Sequence, residues 1–167
     1  FCLYISSSSC GNTGNLSITK SRFERDSANV HGGGFYHNSG EITITENSFV
    51  DNRANNSGAG FMSSNGKMLL SENTFTGNKA VSNGGAAIIS AGELTITDNI
   101  FEQGTATNGG ALYLGNSNIT LAKMSNNWFD KNAASNVGSA VYIYLLTNTG
   151  GKIPVIEFNT FTGNEIT

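Results

Sequence analysis

A phenylalanine that returns at nearly regular intervals is the feature that most constrains how this chain can fold. The first three intervals are 26 residues long, and the next two lengthen to 28 and 32 residues. The markers are Phe23, Phe49, Phe75, Phe101, Phe129 and Phe161. Self-similarity at such a period indicates a solenoid, in which each repeat buries its apolar surface against its neighbours.

Asparagine recurs in the same frame, two residues before and three residues after the phenylalanine. The first series is Asn47, Asn73, Asn99, Asn127 and Asn159, and the second is Asn52, Asn78, Asn132 and Asn164. Ser21 and Asp26 replace the two asparagines in the first coil, and Gly104 replaces the second one in the fourth coil. Each coil therefore carries polar residues at two fixed positions beside its phenylalanine.

Two further segments complete each coil. A cluster of small residues followed by an apolar run comes eight or nine residues after each phenylalanine, as in residues 32–36 and 109–113. A stretch that alternates apolar and polar residues, as in residues 16–19 and 42–45, comes before it and is typical of a half-buried strand. The pattern predicts an all-β, right-handed parallel β-helix of about six coils, each of roughly 26 residues with three short strands. We expect residues 1–167 to form a single such segment, right-handed because parallel crossovers almost always are.

Stacking of coils places equivalent residues above one another, so each repeated position becomes a ladder. We expect the phenylalanine ladder inside the solenoid and the asparagine ladders at its turns, where asparagine tolerates left-handed backbone and bonds to the next coil. Gly and Ala of the small-residue clusters are expected at a crowded corner. Insertions near residues 118–126 and 147–154 are predicted to be loops.

Composition argues against two kinds of partner. The net charge is −3, and the nine basic residues are scattered singly, so we expect no nucleic-acid partner. The longest apolar run, residues 141–146, is far too short to span a bilayer, so we expect no membrane insertion by this segment.

Several features favour an extracellular or cell-surface location. Cys2 and Cys10 enclose a short loop that a disulfide could close, which would suit a secreted protein. Acceptor motifs for N-glycosylation occur at Asn15, Asn55 and Asn118, at a frequency that chance alone explains.

The two ends of the chain fall within a coil, because Leu3-Tyr4-Ile5 aligns with Leu112-Tyr113-Leu114 and the last residues precede an expected small-residue cluster. We therefore expect a fragment or one unit of a longer solenoid or fibre. Self-association, or continuation of the solenoid, is expected at both ends.

The two markers, Phe-x-x-Asn and Gly-Gly-Ala followed by an aliphatic residue, resemble the repeats of the chlamydial polymorphic outer membrane proteins and related surface proteins. Full Phe-x-x-Asn matches occur at Phe49, Phe75, Phe129 and Phe161, and the strict form of the second motif is residues 109–112. The resemblance covers essentially the whole chain. It implies a surface-displayed, adhesin-like β-helix.

Candidate sites for chemistry are few. Glu46, Glu72 and Asp98 fall at equivalent positions and form a weak candidate column for Ca²⁺, although a solvated turn is the simpler interpretation. His31 and His37 lack cysteine or a third histidine as metal partners, so we expect ordinary loop histidines and no resident cofactor.

We therefore expect a structural or adhesive extracellular scaffold that is not an enzyme, with a surface carbohydrate or a protein as its ligand. The alternative is a segment of a β-helical carbohydrate-processing enzyme or carbohydrate-binding protein, whose catalytic carboxylates would lie in other coils. A regular outward threonine array is broken by Leu69 and Ser71, which weakens the prediction of a flat carbohydrate- or ice-binding face.

Overall fold

The computed structural model describes residues 14–64, 66–146 and 153–167, without the side chains of residues 91, 116–118 and 145–146. Cys2 and Cys10 lie outside the described residues. All regular elements of this part of the chain are strands. They are β1 (Leu16–Thr19), β2 (Arg22–Glu24), β3 (Ser27–Ala28), β4 (Phe35–His37), β5 (Ile42–Thr45), β6 (Ser48–Val50), β7 (Arg53–Ala54), β8 (Phe61–Ser63), β9 (Met68–Ser71), β10 (Thr74–Thr76), β11 (Lys79–Ala80), β12 (Ala87–Thr97), β13 (Ile100–Glu102), β14 (Thr105–Asn108), β15 (Leu112–Ser125), β16 (Trp128–Asp130), β17 (Ala133–Val137), β18 (Val141–Leu146), β19 (Val155–Glu157), β20 (Thr160–Thr162) and β21 (Glu165–Ile166).

The strands form three parallel sheets that run along the solenoid. The first sheet has the order β1-β5-β9-β12-β15-β18. In addition, β8 pairs with β12, β4 pairs with β8, and β19 pairs with β15. The second sheet is β2-β6-β10-β13-β16-β20, and the third is β3-β7-β11-β14-β17-β21. Every strand thus pairs with its counterpart one coil away, which confirms the predicted all-β parallel solenoid. The six strands in the main order of each sheet correspond to about five full turns of the solenoid, slightly fewer than the six coils that we predicted.

The register of the paired strands follows the 26-residue sequence repeat in the first coils. Phe23 pairs with Phe49, and Phe49 with Phe75, at an offset of one repeat. The rings of the phenylalanine ladder stack in parallel with centroids 4.6–4.8 Å apart. A second interior row begins with Phe35 over Phe61, whose centroids are 5.1 Å apart. The aromatic interior follows from strand spacing, because parallel strands hold equivalent side chains about 4.8 Å apart.

The insertion near residues 118–126 does not form the predicted loop. Residues 112–125 instead make one long strand, β15, which absorbs the extra residues as register shifts against β12. One shift lies between Ile89 and Ala91 and another between Leu94 and Thr95. Bulges allow this because an extra residue can remain in a strand at the cost of a local break in the ladder. Of the second predicted loop, residues 147–152 lie outside the described part of the chain.

Left-handed backbone occurs at the residue before each ladder position, and not at the asparagines themselves. In the first series φ lies between 49° and 60° at Lys20, Glu46, Glu72, Asp98, Asn126 and Phe158. The second series repeats this feature at Arg25, Asp51, Gly77, Gln103, Lys131 and Gly163. The expected role of asparagine as the left-handed residue is therefore wrong, and its side chain serves the turn only through hydrogen bonds.

The small-residue clusters lie at a corner where neighbouring coils touch through their backbones. A Cβ added at Gly34 would lie 2.5 Å from the carbonyl oxygen of Gly60, and one at Gly60 would lie 2.5 Å from that of Ala86. Real Cβ atoms do not approach backbone so closely, so any larger residue there would push the coils apart.

Candidate interaction surface

A column of large side chains stands on the outer face of the first sheet. The column, here called the outer stripe, consists of Tyr36, Met62, Ile88, Tyr113 and Tyr142, with Tyr144 beside the last member. Each of the five is paired in register with the next, one coil further along. Their neighbours in the strand, such as Phe35 and Phe61, point inward, because successive side chains alternate between the faces of a strand.

Three tyrosine rings lie together at one end of the outer stripe. The centroids of Tyr113 and Tyr142 are 5.1 Å apart with 35° between the ring planes, and those of Tyr142 and Tyr144 are 6.3 Å apart with 25° between them. Tyr144 pairs in register with Gly115, and a Cβ added at Gly115 would lie 2.8 Å from two ring carbons of Tyr113. Gly115 therefore leaves the space into which the ring of Tyr113 extends along its own strand.

The surroundings of Tyr113 are apolar enough to shift the pKa of its hydroxyl group. Burial raises the pKa of the Tyr113 hydroxyl, and the neighbouring Tyr142 and Tyr144 raise it further. Tyr144 is the most open of the three, with 48% of its surface exposed. The cluster thus presents both flat apolar surface and phenol hydroxyl groups.

The other end of the outer stripe is more polar. The hydroxyl of Tyr36 lies 3.1 Å from Ser64 Oγ, and it donates to Asn38 Oδ1 at 3.4 Å. Tyr36 is thus held by hydrogen bonds.

A shallow groove of about 330 Å³ runs along the same sheet across β5, β9 and β12. Its lining consists of Glu41, Ile42, Thr43, Lys67, Met68, Leu69 and Thr95. Lys67 Nζ lies 3.5 Å from a carboxylate oxygen of Glu93. Leu69 stands between Thr43 and Thr95 in register, so the outward threonines do not form a continuous row.

The carboxylate column occupies an exposed corner. Glu46, Glu72 and Asp98 are the left-handed residues that precede the first asparagine series, and Lys20 Nζ lies 3.7 Å from Glu46. Two strand spacings separate Glu46 from Asp98 by roughly 10 Å, more than one ion can bridge with oxygens about 2.5 Å away. Within the described ranges, no group of three or more His, Cys, Asp or Glu side chains is placed to hold a metal ion.

The two histidines differ from the solvated loop residues that we expected. His37 lies in β4 and is fully buried, with Nδ1 3.2 Å from Ser63 Oγ in the next coil. His31 is partly buried at a corner, where it forms a backbone bridge to Ser57. Burial lowers the pKa of both histidines, which favours their neutral forms inside the solenoid.

The predicted glycosylation sites have different surroundings. Asn15 and Asn55 are exposed, although Asn15 Oδ1 already accepts a hydrogen bond from the Glu41 N–H at 3.0 Å. Ser57, the hydroxyl residue of the second motif, is buried and donates to Asn56 Oδ1. The backbone of Asn118 lies in β15, and its side chain is outside the described atoms.

The outer stripe and a third polar ladder were not predicted from the sequence. Asn136 Nδ2 donates to Asn108 Oδ1 at 3.0 Å, and Asn108 Nδ2 donates to Asn83 Oδ1 at 2.8 Å. Both features are in phase with the small-residue clusters: these asparagines come one or two residues before a cluster, and the stripe residues come after it. The stripe has a signal in the sequence. Each cluster has three small residues, and a large residue stands two positions after the third of them, as at Tyr36, Tyr113 and Tyr142.

The family comparison matches nearly the whole chain. Residues 5–167 match the family model described as a right-handed β-helix region. The chain belongs to the right-handed β-helix family. Membership agrees with the three parallel sheets and establishes the predicted right-handed coil. Comparison with curated proteins and with solved structures yields no significant match.

Membership in the β-helix family leaves the role of the chain open, because the family includes enzymes and non-enzymes. No helix in the described part of the chain is long and apolar enough to cross a membrane.

Proposed function

We propose that this β-helix is part of an extracellular or cell-surface scaffold, not itself catalytic, and that its outer stripe makes an adhesive contact. The observation that carries the adhesive role is the cluster of Tyr113, Tyr142 and Tyr144 on the outside of the first sheet. The repeat motifs support a place among surface proteins that resemble the chlamydial polymorphic outer membrane proteins.

The ladders support the scaffold role. The phenylalanine stack runs through every coil, and the first asparagine series repeats its hydrogen bonds from Asn47 onward, so neighbouring coils bind through a recurring interface. Stability of such a solenoid grows by addition of nearest-neighbour interfaces. We propose that further coils, or other copies, continue this interface at both ends, without a metal or another cofactor.

Tyrosines suit an adhesive contact for a physical reason. A tyrosine supplies a large and rigid apolar surface together with a hydroxyl group, and it loses little conformational entropy on binding. Such residues account for a large share of the binding energy in protein interfaces. We propose a surface carbohydrate or an uncharged patch of a protein as the ligand, because the stripe itself contains no charged residue.

The test uses the full 167-residue chain, immobilised and exposed to an array of polysaccharides and extracellular matrix proteins. For a ligand that binds, Tyr142→Ala is expected to weaken binding by at least about tenfold, the effect of a typical hot-spot residue. Trp128→Ala is the matched control, since Trp128 is 50% exposed on the second sheet and away from the stripe. Equal loss in both variants, or no loss in Tyr142→Ala, would contradict an adhesive stripe.

The groove across β5, β9 and β12 favours a second candidate, binding or processing of carbohydrate. Glu41 and Lys67 supply polar groups there, and Leu69 supplies apolar surface. Lys67→Ala would then reduce polysaccharide binding while Tyr142→Ala would not. Release of reducing ends from a polysaccharide by the purified chain would refute the proposal that it is not an enzyme.

A further inference from the structure

We infer that Tyr113 and Tyr142 form a site of oxidative cross-linking, in which a carbon–carbon bond between the two phenol rings joins neighbouring coils. The inference is independent of the adhesive role and concerns how two neighbouring coils could be locked covalently. It rests on the positions of the tyrosines in the fold.

The stacking of coils brings the two rings together although 29 positions separate them in sequence. Tyr113 of β15 and Tyr142 of β18 are registered partners in adjacent parallel strands, and their ring centroids are 5.1 Å apart. Both side chains start from hydrogen-bonded β-strands, so the rings can meet through side-chain rotation alone. In the coupled product the two rings are joined edge to edge, so both side chains must rotate out of their tilted arrangement, and their partial exposure leaves room for this movement.

Tyr144 makes the site accessible to an oxidant. It is 48% exposed, and its ring centroid lies 6.3 Å from that of Tyr142. A radical formed on the exposed ring can pass to its neighbours, which are close enough for electron transfer. By contrast, Tyr36 is held by Ser64 and Asn38 at the other end of the stripe.

The chemistry requires hydrogen peroxide and a haem peroxidase, which we name as the oxidant class. The peroxidase removes one electron and one proton from each phenol, and each phenol becomes a phenoxyl radical. The radicals couple through a ring carbon next to the hydroxyl-bearing carbon, and the hydrogens on those two carbons move to the phenol oxygens as aromaticity returns. Two C–H bonds are thus exchanged for one C–C bond, and hydrogen peroxide is reduced to two water molecules.

The link would close a loop between two coils that otherwise hold together only through non-covalent ladders. A cross-link of this kind restricts the unfolded chain and opposes separation of the joined segments. A scaffold that bears mechanical load would gain from it.

The experiment treats the monomeric 167-residue chain with peroxidase and hydrogen peroxide at low protein concentration. Trypsin cleaves after Lys123, Lys131 and Lys152, so Tyr113 and Tyr142 fall in different peptides. We expect a linked pair of these peptides, lighter by two hydrogen atoms than their sum, together with dityrosine fluorescence in the monomer fraction.

Conservative variants identify the pair, because phenylalanine keeps the ring but cannot form a phenoxyl radical. Tyr113→Phe and Tyr142→Phe should both lose the linked peptides. Tyr144→Phe should form the same link in lower yield, because its ring can no longer carry the radical, whereas the matched control Tyr36→Phe should keep the full yield. A link that survives in Tyr142→Phe, or dityrosine confined to dimers, would overturn the assignment. Circular dichroism of each variant verifies that the solenoid is folded.

Discussion

At the asparagine turns of this β-helix, one residue supplies the left-handed backbone and the next residue supplies the side-chain hydrogen bonds. The residue before each ladder position adopts left-handed backbone, and the asparagine that follows turns its side chain inward. Asn99 Oδ1, for example, accepts from both the N–H and the Nδ2 of Asn73, and its own Nδ2 donates to the carbonyl of Leu70. Backbone N–H and C=O groups at the turn, which no sheet can pair, thereby find hydrogen-bond partners inside the protein.

Asn99→Ala is expected to destabilise the chain by about 2 to 3 kcal/mol, because buried donors and a carbonyl lose their partner. Asn55→Ala is the matched control, since Asn55 is exposed, and its effect should stay within about 0.5 kcal/mol. Urea unfolding of both variants measures the difference. A similar cost for the two would mean that the ladder adds nothing beyond an ordinary surface asparagine.

Gly104 interrupts the second asparagine series, and repeat logic alone suggests that Gly104→Asn would restore the ladder and stabilise the protein. The structure predicts the opposite. A Cβ at Gly104 would lie 2.5 Å from the carbonyl oxygen of Gly110 and 2.9 Å from Asn132 Oδ1. We expect a loss of about 1 to 3 kcal/mol, as for other overpacked sites, in the same unfolding assay. A gain in stability would show that this corner can relax.

At the scale of the strands, the phenylalanine stack joins one coil to the next. Phe75 is fully buried between Phe49 and Phe101, with centroids at 4.6 and 4.8 Å, while Phe161 is 51% exposed and stacks on Phe129 alone. The rows of Phe35 and Phe61 pack against this stack at 43–48°. The position of each ring along the ladder should therefore determine how much it contributes to the free energy of unfolding.

Phe75→Ala is expected to cost about 3 to 5 kcal/mol, through lost burial and the cavity left between two rings. Phe161→Ala should cost only about 1 to 2 kcal/mol, since half of that side chain is already exposed. Thermal and urea unfolding would measure both. Equal costs would indicate that the last coil is as tightly packed as the middle one in solution.

At the scale of the whole molecule, the solenoid is a one-dimensional stack in which each coil contacts only the coils next to it. Interior coils have two such neighbours. The last described coil, with β19, β20 and β21, has one, and Phe158 there is 79% exposed. Local stability should consequently vary along the stack.

Hydrogen exchange of the 167-residue polypeptide tests this gradient. Amides of β10 and β13 are expected to exchange more slowly than those of β20, because opening an interior coil breaks two interfaces. Mass spectrometry of peptic fragments gives the measurement. Uniform protection from β10 to β20 would show that the stack opens only as one cooperative unit.

The amino-acid pattern was sufficient for the architecture because a solenoid places every repeated residue in a repeated environment. Phe49, Asn73 and the strand around Ile44 could be assigned from spacing alone, as their partners lie one period away. Their identities and their neighbours are therefore both present in the linear chain.

Tertiary structure decided whatever departs from the period. The left-handed conformation belongs to residues as different as Lys20, Glu46 and Phe158, whose side chains give no common signal. The extra residues in β15 became bulges instead of a loop, and a Cβ at Gly104 would lie too close to the Gly110 carbonyl oxygen. Tyr113 and Tyr142 meet only through strand register across a lengthened coil. The sequence by itself determined the coil and its ladders. Contacts between coils of unequal length determined the outer surface, because side-chain packing depends on distances between atoms, and the length of a repeat does not specify those distances.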